Sequence, residues 1–298
     1  MPRSLDIFAP YCDTNTYEHG EPNPHERCPC KQVEFCLGIH RQERDMELRS
    51  RLESSAAVAL VTFLLCSPSS GQDGLQLFHK MQTALGGAEK IAAIHDLEQQ
   101  VRAETWDGNG RRLGEVRKRT RWVRPDYLRL DQVGPGSTYV LYFDGTSGWE
   151  ILPDKRVADL VGGELKFAQK YVRDFVLNTL LADRDPRYQI TSPAPNVVRI
   201  SDGDVAHQLD ITLDPASWLP VKTTSISLAD PAHPIPSETV TTEWETVRGI
   251  RFARRWSVFR SGVRLAEATV ERTTLNSGIK PSDLAVKPPD LAPVMSRQ

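Results

Sequence analysis

The chain has 298 residues, a formal net charge of −2 and 39% hydrophobic residues. This near-neutral balance excludes the strongly basic surface of a typical nucleic-acid-binding protein and the composition of an acidic, disordered chain. The five cysteines all precede residue 67. Any disulfide or cysteine-bound metal would therefore belong to the N-terminal quarter.

A short apolar run, Ala56–Cys66, predicts an export signal. The run follows two arginines, is too short to cross a bilayer and precedes the small residues that surround signal-peptidase sites. We predict a signal peptide at 46–71, and a buried hydrophobic helix is the alternative. Leu65 is bulky where lipoprotein signals carry a small residue, so a lipid anchor on Cys66 is not expected.

Residues 1–45 have no place before a signal peptide. The simplest interpretation is a disordered extension that arises from a start codon assigned too early, with Met46 as the true start. A zinc site is the alternative, because thiolates and imidazole are preferred zinc ligands. Its candidate ligands are Cys28, Cys30, Cys36 and His40. One residue between the first two cysteines is unlike the common zinc-finger spacing, so we expect no metal.

The periodicity of apolar residues changes near Leu97. Before it, Leu75, Phe78, Met81 and Leu85 follow the three-to-four spacing of a helix with one buried face. After it, apolar and polar residues mostly alternate, with turn signals between the runs, as in antiparallel strands. About eleven or twelve strands are predicted, which is typical of a sandwich or barrel.

The most informative strand pair is predicted at Thr138–Leu152. Tyr139, Leu141 and Phe143 fall on one face of the first strand, and Trp149 and Ile151 on one face of the second. Glycines between the two runs permit a tight reversal. The pattern does not decide whether this apolar face meets a packed core or a ligand.

The strand that precedes this hairpin has one basic face and one apolar face. Val116, Thr120 and Trp122 are predicted on the apolar face. The basic residues of the region are Arg111, Arg112, Arg117, Lys118, Arg119, Arg121 and Arg124. A solvated face and a site for an anionic membrane surface or lipid head group are both open, whereas nucleic acid is not an expected partner because no aromatic run accompanies the charges.

One long helix is predicted inside the strand region, from about Gly163 to Ala182. Its apolar stripe consists of Leu165, Ala168, Val172, Phe175, Val176 and Leu180. A sheet that is apolar on one side needs a cover, so we expect this helix to cross the sheet face.

Two polar residues fall on apolar strand faces. In the alternation predicted from Val205 to Leu213, His207 is expected to be a hydrogen-bonded core residue rather than a catalyst. Arg254 lies between Phe252 and Trp256, where an inward guanidinium is costly unless it is satisfied. A structural role and a role in ligand binding are both open for Arg254.

The exported part lacks a phosphate loop, a GxSxG elbow, an HExxH motif and paired CxxC motifs. Its carboxylates lie mostly in turns or on polar strand faces, unlike a tuned acid–base pair. We therefore expect no enzymatic activity and no cofactor. A hydrolase with dispersed carboxylates remains an alternative.

Residues 72–290 resemble the bacterial outer-membrane lipoprotein-sorting and carrier proteins of the LolA/LolB-like family. The segments that carry the resemblance are Ala84–Ala88 with Ile91 and Ile94, Phe143–Trp149, Leu213–Pro220, Gly249–Phe252 and Val270–Asn276. The resemblance implies a mainly β fold, a half-open antiparallel β-barrel of about eleven strands closed by α-helices. It also implies a periplasmic carrier that holds acyl chains in an apolar cavity. Residues 291–298 are expected to form a disordered tail.

We predict from the alternation and the resemblance together that the acyl chain of a lipid or lipoprotein lies in a cavity under a lid helix. The predicted lining is Leu128, Leu130, Tyr139, Leu141, Phe143, Trp149, Leu209, Ile211, Trp244, Phe252, Arg254 and Trp256. The predicted lid residues are Leu165, Val172, Phe175, Val176 and Leu180. Burial of methylenes would drive binding.

The expected partners are acyl chains and inner- or outer-membrane transport components, and a monomer is expected. A lipid-sensing envelope-stress regulator or scaffold on the same fold is one alternative. A filled barrel with a purely structural role is another.

Overall fold

The computed structural model describes residues 70–135, 137–227 and 235–288, apart from the side chains of 70–73 and 227. The predicted extension at 1–45, the zinc ligands, Cys66 and the tail at 291–298 lie outside these residues, as does almost all of the predicted signal peptide at 46–71. Those assignments stay predictions.

Thirteen strands of the described residues form one antiparallel sheet. The first half of the chain supplies β1 Asp96–Trp106, β2 Arg112–Val123, β3 Tyr127–Gly134, β4 Ser137–Phe143, β5 Gly148–Ile151 and β6 Val157–Asp159. The second half supplies β7 Gln189–Thr191, β8 Val197–Ser201, β9 Leu209–Leu213, β10 Pro220–Ser227, β11 Ile235–Val247, β12 Ile250–Arg260 and β13 Val263–Leu275.

The strand order explains why part of the chain must cross the sheet. The order is β6-β5-β4-β3-β2-β1-β13-β12-β11-β10-β9-β8-β7, so every neighbour is sequential except β1 beside β13. The chain therefore starts in the middle of the sheet, runs outward to β6, and re-enters at the opposite edge as β7. The segment between Asp159 and Gln189 joins the two edges, and it contains two α-helices, Gly162–Arg173 and Val176–Thr179, and the 3-10 helix Ala182–Arg184.

The predicted mainly β, open architecture is confirmed, because β6 and β7 are edge strands that do not pair with each other. The number of strands differs from the prediction of about eleven. The β6 strand has only three residues, too few for a two-residue alternation to be visible in the sequence.

Helices cover one face of the sheet, which we call the inner face. The α-helices are α1 Ser70–Leu85, α2 Ala88–Ala92, α3 Gly162–Arg173, α4 Val176–Thr179 and α5 Pro281–Leu284. On α1, Phe78, Met81 and Leu85 are at most 2% exposed and belong to the main core, which confirms these three residues of the predicted stripe. Leu75, the fourth, is 41% exposed, so its predicted place on the buried face is wrong. Gly74 brings α1 against the backbone of β7, since a Cβ there would lie 2.4 Å from the Thr191 carbonyl carbon.

The prediction of one continuous helix from Gly163 to Ala182 is wrong. Instead, α3 ends at Arg173 and α4 begins at Val176. Phe175 between them has an extended ψ of 133°, and the Asn178 side chain donates a 2.8 Å hydrogen bond to the Val172 carbonyl. The Phe175 backbone N–H donates to the same carbonyl at 3.2 Å, and the Asn178 side chain adds a second donor at the end of α3. We call α3 and α4 together the cover.

The strand predicted from Val205 also starts later. Residues Val205–His207 form a 3-10 helix, and β9 begins at Leu209. Asp204 caps this turn by accepting a 2.9 Å hydrogen bond from the Ala206 backbone N–H. Val205 is 70% exposed. The apparent alternation fails because the capping side chain stabilises a helical turn locally.

Much of the predicted basic face lies on the outer face of the sheet and is paired with acids. Arg117 contacts Glu115 at 3.0 Å and Arg119 contacts Glu98 at 2.7 Å. The solvated interpretation therefore fits these arginines. Lys118 is an exception and lies on the inner face, as described below.

Candidate functional site

The floor of the candidate site is a set of apolar side chains on the inner face of β2, β3 and β4. Strand register places Trp122 beside Leu128, and Leu128 beside Phe143. One step along the strands, Leu130 lies beside Leu141. These five side chains are at most 1% exposed and belong to one apolar cluster.

The opposite half of the sheet contributes to the same cluster. Leu209 and Ile211 of β9 and Phe252 of β12 are 4–8% exposed and pack in it. Trp244 and Tyr139 are partly buried against it. The structure thus brings most of the predicted lining residues together, and their contact with a lipid stays a prediction.

Trp149 does not belong to this wall. It pairs with Tyr142, whereas Leu141 pairs with Glu150, so Trp149 lies on the opposite face from Leu141 and Phe143. There it joins Val140, Ile151 and Val157 in a separate cluster. The two-residue period defines the faces within one strand, but the register across the turn decides which face of the next strand is inner.

The prediction that Arg254 lies on the apolar face of its strand is also wrong. The side chain is exposed. In the register between β11 and β12, Glu243 lies opposite Arg255 and Trp244 opposite Ala253, so Arg254 is at an irregularity in the pairing. Such irregularities re-aim side chains locally. Trp256, in contrast, packs on a second inner cluster of Val101, Ala103, Ala268 and Val270.

Four of the five predicted lid residues pack in or against the main core, and Val176 does not. Val172 and Leu180 are at most 4% exposed, and Leu165 and Phe175 are partly buried against the main core. Val176 is 43% exposed and does not face the core, whereas its neighbour Leu177 is fully buried. The break at Phe175 changes the helical phase, so the stripe of α3 does not continue into α4.

An aromatic stack joins the cover to the floor. The rings of Phe175 and Trp122 are 5.5 Å apart between centroids and inclined by 27°. Such offset pairs contribute about 1 kcal/mol beyond the burial of their area. Phe175, the residue at the break in the cover, therefore contacts the floor through this aromatic stack.

Four polar side chains, from Lys118, Tyr139, Glu150 and Tyr171, lie near this apolar floor. The Lys118 ammonium lies 2.9 Å from the Tyr171 hydroxyl of α3, and the Tyr139 hydroxyl donates to Glu150 at 3.1 Å. Lys118 is 8% exposed and Glu150 is fully buried. The sequence did carry a signal for Lys118, because it continues the inner-face alternation of Val116, Thr120 and Trp122. Lys118 ties α3 to β2.

A second polar contact ties the C-terminal end of α3 to the opposite half of the sheet. Arg173 Nη1 donates to Asp202 Oδ2 at 3.0 Å. His207 Nδ1 lies 2.9 Å from the same oxygen and 2.6 Å from Arg173 Nη1. We call Arg173, Asp202 and His207 the α3 anchor. His207 is therefore part of a half-buried ionic contact, which corrects its predicted place on an apolar strand face.

The electrostatics of the α3 anchor favour the charged carboxylate. Burial raises the pKa of Asp202, but a backbone hydrogen bond from Asp204, the hydrogen bond with His207 and the nearby positive charges outweigh burial and hold this pKa below its usual range.

The outer face carries a shallow pocket of about 300 Å³. Its lining residues are Arg102, Glu104, Trp106, Arg112, Arg255, Glu267 and Thr269. Arg112 pairs with Glu104 at 2.6 Å, and Arg255 lies 3.8 Å from Glu267. The third arginine of the lining, Arg102, contacts Glu115 and Glu271, which lie outside the lining, at 3.6 and 3.5 Å. Every arginine of the pocket therefore has an acidic partner.

The part of the chain that the structure describes contains neither a candidate metal site nor a candidate membrane-spanning helix. No cluster of three or more histidine, cysteine, aspartate or glutamate residues there could hold a metal ion. No helix of that part is long and apolar enough to cross a membrane.

Comparison with solved structures gives several matches. A domain assigned to outer-membrane lipoprotein sorting from Vibrio parahaemolyticus is 12% identical, with a TM-score of 0.47, and the match covers 72% of this chain and 97% of that one. A LolA superfamily protein from Nitrosomonas europaea is 12% identical, with a TM-score of 0.46, and the match covers 70% and 97%.

A DUF1329 family protein from Desulfovibrio piger also matches, with 12% identity, a TM-score of 0.48 and coverage of 72% of this chain and 97% of that one. No family model and no curated protein matches the chain. At 12% identity, similarity to these structures concerns the fold and does not identify the ligand. The function has to be argued from the arrangement of this chain's own residues.

Proposed function

We propose that the protein is a periplasmic carrier that binds acyl chains of lipids or lipoproteins between the cover and the inner face of β2–β4, for transport towards the outer membrane. Such a carrier performs no chemical step and needs no cofactor. The observation that carries the proposal is the apolar interface between a broken helical cover and the floor of Trp122, Leu128, Leu130, Leu141 and Phe143.

The cover is built differently from the rest of the core. It is a connection between two sheet edges rather than a strand, and it is interrupted at Asp174 and Phe175. Changes in backbone dihedral angles at a few residues between two helices are sufficient for hinge motion. Withdrawal of α3 or α4 would uncover aliphatic and aromatic side chains without breaking a strand-to-strand hydrogen bond of the sheet.

The chemistry of the floor selects an apolar ligand. Each methylene moved from water into such a site gains about 0.8 kcal/mol. A chain of about sixteen carbons could thus gain on the order of 10 kcal/mol, from which the lost contacts of the cover must be subtracted. Burial alone is sufficient to hold a long acyl chain, and a strong polar anchor is not required.

The first test is whether the full chain holds lipid. Native mass spectrometry after gentle purification should detect a co-purifying lipid, and a fluorescent fatty acid should bind to the delipidated protein. A transfer assay between donor and acceptor vesicles then tests carriage. A protein that contains no lipid and does not take up added lipid contradicts the proposal.

Phe175→Ala tests the role of the cover. Loss of the ring that stacks on Trp122 removes a contact of about 1 kcal/mol or more, so we expect the bound fatty acid to dissociate about fivefold faster. Stopped-flow fluorescence measures this rate.

Val176→Ala is the matched control, because Val176 is the next residue and is 43% exposed. Its dissociation rate should equal that of the wild type. Equal rates for Phe175→Ala and Val176→Ala would show that the ligand does not leave past this contact.

A further inference from the structure

The indole N–H of Trp122 is an unusual group in the apolar floor. The side chain is 0% exposed, and among the described residues Nε1 has no hydrogen-bond partner. An indole nitrogen can only donate. A buried donor without an acceptor is destabilising, and buried indoles usually find a partner for this reason.

Trp122 lies where the cover is interrupted. Its ring stacks on Phe175, the extended residue between α3 and α4. On the strand side it is flanked by Leu97 of β1 and Leu128 of β3. The donor is therefore part of the interface that the proposed ligand would enter, between apolar side chains and the guanidinium of Arg124.

Arg124 is the polar residue next to the Trp122 ring, and its side chain does have hydrogen-bond acceptors. Its guanidinium carbon lies 5.1 Å from the centroid of the Trp122 ring, but its nitrogens donate to the carbonyls of Ile94 and Ile91 at 3.0 and 3.4 Å. Arg124 thus has backbone acceptors at the end of α2, whereas the indole N–H beside it has none among the described residues.

We propose that Trp122 Nε1 donates a hydrogen bond to the carbonyl oxygen of the acyl group when the ligand lies between the cover and the floor. This inference rests on the proposed function and makes it more specific. The site would then select acyl chains that end in an ester, amide or carboxylate over hydrocarbon of equal length. The hydrogen bond satisfies a donor that is already desolvated, so only the ligand carbonyl loses water when the bond forms.

The test compares probe ligands on the full-length protein. Methyl palmitate, N-methylpalmitamide and palmitate each carry a carbonyl oxygen, and a straight alkane of matched length does not. Each would be measured by displacement of the fluorescent fatty acid. The readout is the ratio of the affinity for each carbonyl ligand to the affinity for the alkane, because a general loss of packing affects both terms.

Trp122→Phe keeps an aromatic ring under Phe175 and removes the donor. We expect the ratio to fall about 5- to 10-fold, as for the loss of one hydrogen bond. The carbonyl ligand with the largest fall identifies the linkage that the site reads. Trp149→Phe, on the outer face, is the control and should leave the ratio unchanged.

An isosteric replacement separates the donor from the volume of the ring. Benzothienylalanine at position 122 exchanges the N–H for sulfur and keeps the two fused rings, so it serves if Trp122→Phe does not fold. An unchanged ratio in this variant, with both ligands still bound, overturns the inference and leaves the proposed function intact. A wild-type protein that binds neither ligand class rejects the proposed function and this inference together.

Discussion

At the scale of single residues, Gly74 shows how one side chain position controls the docking of a helix. A Cβ at Gly74 would lie 2.4 Å from the Thr191 carbonyl carbon, which is backbone and cannot move aside as a flexible side chain would. We expect Gly74→Ala to lose about 2 kcal/mol of unfolding free energy through overpacking. The thermal midpoint should fall by several degrees, which differential scanning calorimetry measures.

Gly108→Ala is the control for this substitution, because nothing lies within 4 Å of a Cβ at Gly108. Its thermal midpoint should stay within about a degree of the wild type. If Gly74→Ala melts like Gly108→Ala, α1 does not pack on β7 as closely as described.

At the scale of elements, the α3 anchor predicts a pH-dependent attachment of the cover. The pKa of Asp202 is lowered in the folded protein, so its stabilising contribution is present above the usual aspartate pKa. It is lost as the pH falls through the folded-state value. Asp202→Asn removes the charge at every pH. We expect it to lower the thermal midpoint by a few degrees at pH 7, on the order of 1 kcal/mol.

The difference between Asp202→Asn and wild type should vanish at pH values below the folded-state pKa, where the wild-type carboxyl is protonated too. Asp204→Asn provides the comparison, since the Asp204 side chain is 59% exposed and 3.8 Å from His207. An asparagine there can still accept the capping hydrogen bond. A midpoint difference for Asp202→Asn that is the same at pH 7 and at pH 3 would refute the ionic role.

At the scale of the whole molecule, the pairing of β1 with β13 joins the two halves of the chain. Asp96 at the start of β1 is 4% exposed. It accepts hydrogen bonds from the Ser277 N–H and hydroxyl at 2.8 and 2.9 Å, and from the Gly278 N–H at 2.9 Å. Because this junction lies in the middle of the sheet, we expect its loss to destabilise both halves together.

Asp96→Ala leaves those donors without the carboxylate, and we expect a loss of about 3 kcal/mol. Urea unfolding followed by tryptophan fluorescence and by far-UV circular dichroism should shift to a lower midpoint in both signals equally, with an unchanged slope. Separate transitions in the two signals would mean that the halves unfold independently.

Asp214→Ala is the matched control for Asp96→Ala. Asp214 accepts from the Ala216 N–H and from the Ser217 N–H and hydroxyl, but in an exposed turn. Water can replace these contacts, so the loss of unfolding free energy should be smaller. An equal loss would contradict the special role of the β1–β13 junction.

The spacing of apolar residues along the sequence is sufficient to predict the strands, the first helix and most of the candidate floor. Alternation depends on residues two positions apart, and helical stripes on residues three or four apart, so Phe78 on α1 and Leu128, Leu130, Leu141 and Phe143 on the inner face follow from local spacing. These patterns predict a mainly antiparallel sheet with a helical cover.

Tertiary structure alone decided which faces and elements meet. Trp149 lies on the outer face because of the register across one turn, and Val176 is exposed because Phe175 stacks on Trp122 and interrupts the cover. The β1–β13 pairing joins residues far apart in the chain, such as Leu97 and Leu275, which are 178 positions apart. Local spacing carries no record of such contacts, since register and long-range pairing depend on the packing of the complete sheet.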